Sequence, residues 1–138
     1  MPTWIQIGEH RCYVEGNLFV MELCGPVSLS EIALLLAPQD KLLLRYEAIL
    51  TLCDARNTEL PKPEVRKFLA DRGKTIGSRK ISSVVITTSV LLRTSVQLVE
   101  HAARLLTGRP LDTSFVTTEQ AAWSWLEARR NATPTLRK

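Results

Sequence analysis

The first two dozen residues alternate short apolar runs with small turn-formers. Residues 3–7, 11–15 and 18–24 read as strands, separated by Gly8-Glu9-His10 and by Gly16-Asn17. Gly16-Asn17 can supply the positive φ that a tight hairpin loop requires, so an antiparallel meander is predicted. After Gly25-Pro26, Ser28 and Glu31 have the spacing of a capping box, and Val27 with Ile32 that of a hydrophobic staple, which starts a helix. Pro38 has no backbone N–H and disfavours helix at Ala37, so the helix is expected to break or kink before 40–45 resumes it. The leucine runs 34–36 and 42–44 read as core packing.

From residue 48 onward β-type runs alternate with longer amphipathic ones. Residues 48–54 form a strand, 63–72 a helix with Val65, Phe68 and Leu69 on one face, and 80–88 a Val/Ile-rich strand. In 90–107, Leu92, Val96, Val99, Ala103 and Leu106 repeat at four and three, while Arg93, Gln97, Glu100 and Arg104 make the wet face. Gly108 stands where a helix-ending residue is wanted. Residues 111–116 give a last strand, and Thr117 with Gln120 a second capping box. It opens a helix whose inward side is Ala121, Ala122, Trp125 and Leu126.

Strands separated by helices of about 10 to 18 residues imply right-handed crossovers and parallel pairing. The expected fold is α/β: a mixed sheet with N-terminal antiparallel strands, βαβ crossovers and about four helices. Residues 1–130 make one domain and 131–138 a flexible polar tail.

At 138 residues, 45% hydrophobic and 23% charged, the chain can bury one core without a metal or disulfides. Three cysteines, Cys12, Cys24 and Cys53, cannot all pair within one chain, and each lies in an apolar run where a reduced, buried thiol is expected. No signal-peptide pattern and no run of about 18 apolar residues occurs, so a cytoplasmic protein with no membrane span is expected. The formal charge of +4 favours anionic partners only modestly.

The order of elements resembles the SpoIIAA-like family, whose STAS-like fold relates it to anti-sigma-factor antagonists. The features that carry the resemblance are the meander ending in LFVMELCGPVSLSEI, the strand ILTLCDARN, the strand-to-helix piece ISSVVITTSVLLRTSVQLV and the closing FVTTEQAAWSWLEAR. In that closing piece Phe115 leads the strand, and Ala122 with Trp125-Leu126 lies on the helix. The resemblance spans nearly the whole chain and contains no catalytic signature. It implies a non-enzymatic regulatory or protein-interaction domain with no cofactor and a protein partner such as a regulatory kinase or signalling protein. In anti-sigma-factor antagonists the strand matching 48–54 leads to a serine that a kinase phosphorylates. Here Asp54 is followed by Ala55-Arg56-Asn57-Thr58-Glu59 without the Asp-Ser-Ser-Gly motif, and Thr58 is the one hydroxyl in the connecting segment.

In open α/β sheets ligands bind beyond the carboxyl ends of the parallel strands. Two such ends carry polar groups: Asp54, Arg56, Asn57 and Thr58, and then Thr87, Thr88 and Ser89. One reading is a recognition surface or a small anionic-ligand pocket in which Arg56 holds the anion and the hydroxyls donate. The other is local: Asp54 pairs with Arg56, Asn57 makes a turn, and Thr88 or Ser89 caps the next helix.

Gly73-Lys74-Thr75 looks like the end of a phosphate-binding loop, but Phe68 stands where Walker A spacing needs glycine. Lys62, Arg66, Lys67, Arg72, Lys74, Arg79 and Lys80 make a basic stretch, yet no exposed aromatic is interleaved, which argues against nucleic acid. His10 and His101 are too isolated for zinc, and Ser89 and His101 lie roughly 18 Å apart along one helix, too far to act as a pair. Trp123 and Trp125 diverge on their helix. Part-exposure of one, Trp123, would mark an interface with a partner or a second copy.

Overall fold

Two glycine turns set the N-terminal meander. β1 (Ile5–Ile7) turns through Gly8-Glu9 into β2 (His10–Glu15), and β2 turns through Gly16-Asn17 into β3 (Leu18–Gly25). Gly8 and Gly16 have φ of 61° and 60°, a region where a side chain is strained. The coordinates, a computed structural model, describe residues 2–76, 80–107 and 112–130, with only the backbone of 74, 80, 102, 103, 106 and 107. The expected Gly108 helix stop, the strand start at Leu111, Arg79 and the polar tail over 131–138 lie outside the described residues.

The remaining elements are α1 (Leu29–Arg45), β4 (Ala48–Thr58), α2 (Pro63–Ile76), β5 (Lys80–Ile86), α3 (Val90–Thr107), β6 (Asp112–Val116) and α4 (Glu119–Arg130). The six strands lie in the sheet in chain order. The β1–β2 and β2–β3 pairs are antiparallel, and β3–β4, β4–β5 and β5–β6 are parallel. This is the mixed α/β sheet with an antiparallel edge that the hydrophobic pattern predicts.

α1 begins as its sequence dictates. Ser28 Oγ accepts from the Glu31 amide, Glu31 accepts from the Ser28 amide, and Val27 and Ile32 meet in the core. Pro38, however, does not break the helix. Leu35 and Leu36 before it and Gln39, Leu42 and Leu43 after it are buried on the same side, and packing on both flanks outweighs one missing hydrogen bond. Leu34 and Leu44 are exposed, contrary to the expectation for the leucine runs. Three consecutive helical residues sweep about 200°, so one member of each run must face out.

Side chains alternate between two cores. On one face Cys12, Phe19, Met21 and Ile49 pack under α1 and α2, while Ala55 and Val85 pack with Leu92 of α3. On the other, Leu18, Val20, Leu50, Leu52, Val84 and Ile86 pack with Ala122 and Leu126 of α4. Ala121 is exposed, and Trp123 and Trp125 are both half-buried along the margin of that second core. α4 is capped by Thr118, whose Oγ1 accepts from the Ala121 amide, one residue later than the expected Thr117. The strand preceding it runs through Val116, whose carbonyl is held by the Thr87 amide.

One buried polar pair crosses the first core: Gln39 Nε2 donates to Thr51 Oγ1 at 2.8 Å. Thr51→Val should cost about 1–3 kcal/mol by leaving the amide without its acceptor. Adding Gln39→Leu should recover much of that loss, because two apolar groups then replace both partners. Urea midpoints for the two single variants and the double check this; strictly additive losses would show that the pair is not coupled.

Candidate functional site

β4 is longer than its sequence suggests. The expected connecting loop at 54–58 is strand, because β4 stays paired with β3 after a bulge: Glu22 pairs with Asp54, but Cys24 pairs with Asn57 and Gly25 with Thr58. One extra residue on β4 re-aims the side chains that follow it. β5 ends its pairing at Asp54–Ile86 and turns away through Thr87 toward α3, so β4 runs on beyond it. The two polar clusters therefore do sit on neighbouring strand ends, joined at Asp54 and Ile86, with Arg56, Asn57 and Thr58 carried farther out along β3.

Each cluster is largely engaged with its own chain. Asp54 accepts from Arg56 Nε at 3.0 Å, from Nη2 at 2.6 Å and from the Arg56 amide at 3.2 Å. The Arg56 side chain holds the Asp54 carboxyl below its ordinary range, its backbone N–H adds to this, and partial burial opposes both. Thr87 Oγ1 accepts from the Ser89 amide, and Ser89 Oγ caps α3 by accepting from the Leu92 amide. Thr58 Oγ1 donates to the Gly25 carbonyl at 2.9 Å, so the hydroxyl flagged by the resemblance is tied into the sheet end. Thr88 and Asn57 are exposed. The local reading thus holds for Asp54, Arg56 and Ser89, but not for Asn57, which pairs with Cys24 in the sheet and makes no turn because β3 continues beside it; Thr58 and Thr87 are engaged locally as well.

The sequence did not reveal that these groups extend into a line of charged residues in which two ion-paired groups meet at adjacent carboxylates. On the α4 face, Arg11 of β2 pairs with Glu22 of β3 at 2.7 Å. Glu22 stands beside Asp54 in the sheet register, Asp54 binds Arg56, and Arg56 reaches Glu119 at the start of α4 at 3.8 Å. Arg11 also stacks its guanidinium 3.8 Å over Trp4, which meets Tyr13 edge-on. The period-2 rule puts Arg11, Glu22 and Asp54 on one face, but only the strand register shows that they are adjacent.

Other candidates resolve into structural roles. His10 is buried; its Nδ1 accepts from the Cys24 amide at 3.0 Å, and its Nε2 lies 3.2 Å from the Pro26 carbonyl and 3.5 Å from Glu31. Gly73-Lys74-Thr75 is part of α2, which rules it out as a phosphate-binding loop. In the basic stretch, Arg72 pairs with Asp40 and Lys67 with Asp71, while Lys62 and Arg66 are exposed. Cys12 is buried, but Cys24 is exposed, because its strand position falls past the covered part of the meander. Burial, with Asp54 alongside, pushes the Cys53 thiol up to about 12, so it stays protonated at neutral pH. Among the described residues, no cluster of three His, Cys, Asp or Glu is placed to hold a metal, and no helix is long and apolar enough to cross a membrane.

Removing Arg56 tests the electrostatics directly. In Arg56→Gln the Asp54 carboxyl should titrate at a higher pH, toward the ordinary carboxylate range. Because the folded-state value of the wild type is depressed, the stabilisation exists above the unfolded value and is lost as pH falls through the folded one. The stability gap between wild type and variant, no more than about 1 kcal/mol for so exposed a pair, should therefore close below about pH 4. NMR titration of the Asp54 side chain checks the shift; an unmoved midpoint would contradict it.

No family model matches the chain, and no curated protein matches it. Among solved structures it is similar to an uncharacterized protein from the DUF3478 family with a SpoIIAA-like fold, from Shewanella loihica PV-4. The two are 12% identical; the alignment covers 91% of this chain and 92% of that one with a TM-score of 0.59. At such identity the likeness bears on fold alone, and the chain has a SpoIIAA-like fold.

Proposed function

We propose that this SpoIIAA-like domain is a non-enzymatic protein-interaction module, docking a partner on the rim where β4 outruns β5. The observation that supports this reading is the line Arg11, Glu22, Asp54, Arg56 and Glu119. It is a solvent-accessible charged surface in which Arg11 pairs with Glu22 and Arg56 with Asp54 and Glu119, while the Glu22 and Asp54 carboxylates stand side by side. Such a surface discriminates between partners through charge complementarity, since a mismatched partner meets like charges. It is poorly suited to acid–base chemistry at Asp54, whose carboxylate is held ionised by the neighbouring Arg56 guanidinium. An anionic small ligand would have to displace Asp54 from Arg56, a charge-assisted two-point contact that it must first replace.

The test is affinity capture from a native lysate with wild type and with a variant carrying Asp54→Ala and Arg56→Ala, both checked for a native fold. Loss of a specific partner in the variant is the expected result. Identical partner sets would remove the rim from the docking surface. A thermal-shift screen of phosphorylated metabolites separates the ligand reading, since a ligand bound only by the folded state raises Tm.

A further inference from the structure

α3 carries more apolar surface than its place in the fold uses. Leu92 is buried against Ala55 and Val85, yet Val90, Leu91, Leu98 and Leu105 are 76%, 69%, 64% and 73% exposed. A solvated helix face is normally polar, so four large apolar side chains on one are unexplained by the monomer. Leu91, Leu98 and Leu105 recur every seven residues. At 3.6 residues per turn they drift only about 20° per step and form one seam some 21 Å long.

We propose that this seam is the two-fold interface of a homodimer, with α3 of each copy packed antiparallel on α3 of the other. The seam is symmetric about Leu98: an axis through that residue sets Leu98 against Leu98 and Leu91 against Leu105. A two-fold interface requires such self-complementarity, and three leucines at equal spacing provide it without any second surface. The antiparallel arrangement also opposes the two helix dipoles favourably.

The flanks fit the same occupant. Thr94 and His101 border the seam on one side and the small Ser95 on the other, and no acidic residue adjoins it. Arg104, about 120° around the helix from Leu98, lies at the rim, where its stem can cover Val90 of the partner subunit. The four exposed residues amount to on the order of 450 Å² per copy, and two such strips approach the roughly 1,000 Å² at which specific interfaces begin. A lipid surface fits less well, since an interfacial helix is usually flanked by several Lys or Arg and α3 has two, Arg93 and Arg104, of which Arg93 is already stacked over Phe115. Residues 131–138 contain a single leucine, too little apolar surface to cover the seam from within the chain.

Sedimentation equilibrium on the full chain tests the proposal. Wild type should show twice the 15.5 kDa chain mass, and Leu98→Glu should halve it while keeping the native circular dichroism spectrum. Leu44→Glu, equally exposed but on α1, should remain dimeric. The register is tested separately by Leu98→Cys in a Cys24→Ser background, which should give a covalent dimer under mild oxidation, independent of whether the glutamate variant folds. A wild type that is monomeric at every concentration, a dimer that survives Leu98→Glu in a folded protein, or the absence of a Leu98→Cys cross-link would each overturn the antiparallel seam.

Discussion

Replacing Phe19 with alanine is expected to lower the unfolding free energy by about 3–5 kcal/mol. Phe19 has no exposed surface, sits near the start of β3, and packs among Cys12, Met21, Leu35 and Ile49 where α1 covers the sheet. The neighbours belong to three strands and a helix, so the space left by the ring cannot close without shifting the sheet. For a domain of ordinary stability, about 5–15 kcal/mol in all, this change alone removes a large share. Val14, which lies opposite Phe19 in the β2–β3 register but is 38% exposed, is the control. Val14→Ala should cost well under 1 kcal/mol, and guanidinium unfolding of the two variants checks the contrast. Equal losses would mean that Phe19 does not sit in a closed part of the core.

His10→Leu is the second large effect and separates hydrogen bonding from volume. Leucine fills similar space, but it leaves the Cys24 amide without its acceptor and the Pro26 carbonyl without the imidazole. At roughly 1–3 kcal/mol for each buried polar group left unpaired, the expected loss is about 2–5 kcal/mol. The damage should concentrate at the junction of β3 and α1, because the same imidazole stands beside Glu31, which closes the capping box. Gly8 is bound to this arrangement as well: a Cβ there would run into the Glu31 carboxylate. Faster amide exchange at Cys24 and at the first turn of α1, with β5 and β6 unaffected, is the signature. A loss below about 1 kcal/mol would show that solvent replaces the ring.

What could be read from the sequence follows from the range of the interactions involved. The Gly16-Asn17 hairpin, the Ser28–Glu31 box and the Val27–Ile32 staple are each decided within a few residues, and each appears in the structure as expected. The two buried faces follow from period-2 alternation in β3 and β4. Misreadings arise where a distant element decides. Pro38 argues locally for a break, but the core contacts of Leu35, Leu36, Leu42 and Leu43 hold the helix through it. Arg56 to Thr58 look like loop because nothing in their own composition shows that β3 continues beside them after a bulge. His10 is satisfied by a backbone amide fourteen residues away, and no local pattern encodes that. At the candidate site, the Asp54–Arg56 pair was legible as a local contact between opposite charges two residues apart. Its extension to Arg11, Glu22 and Glu119 was not, since it depends on register between elements far apart in the chain.

The sheet order has a kinetic meaning. Each strand lies beside the one that precedes it in the chain, so no gap has to be held open for a strand made later. Every new pairing closes either a two-residue turn or a single helical crossover, and the entropy of loop closure rises only slowly with such lengths. The order in which residues leave a ribosome is therefore also an order in which the sheet can be built, from β1 toward β6. The meander and α1 have partners before β5 exists, whereas the α4 face gains its cover only when the final helix arrives. Folding probes should find protection at Leu50 and Leu52 developing later than at Phe19, although all three end almost wholly buried.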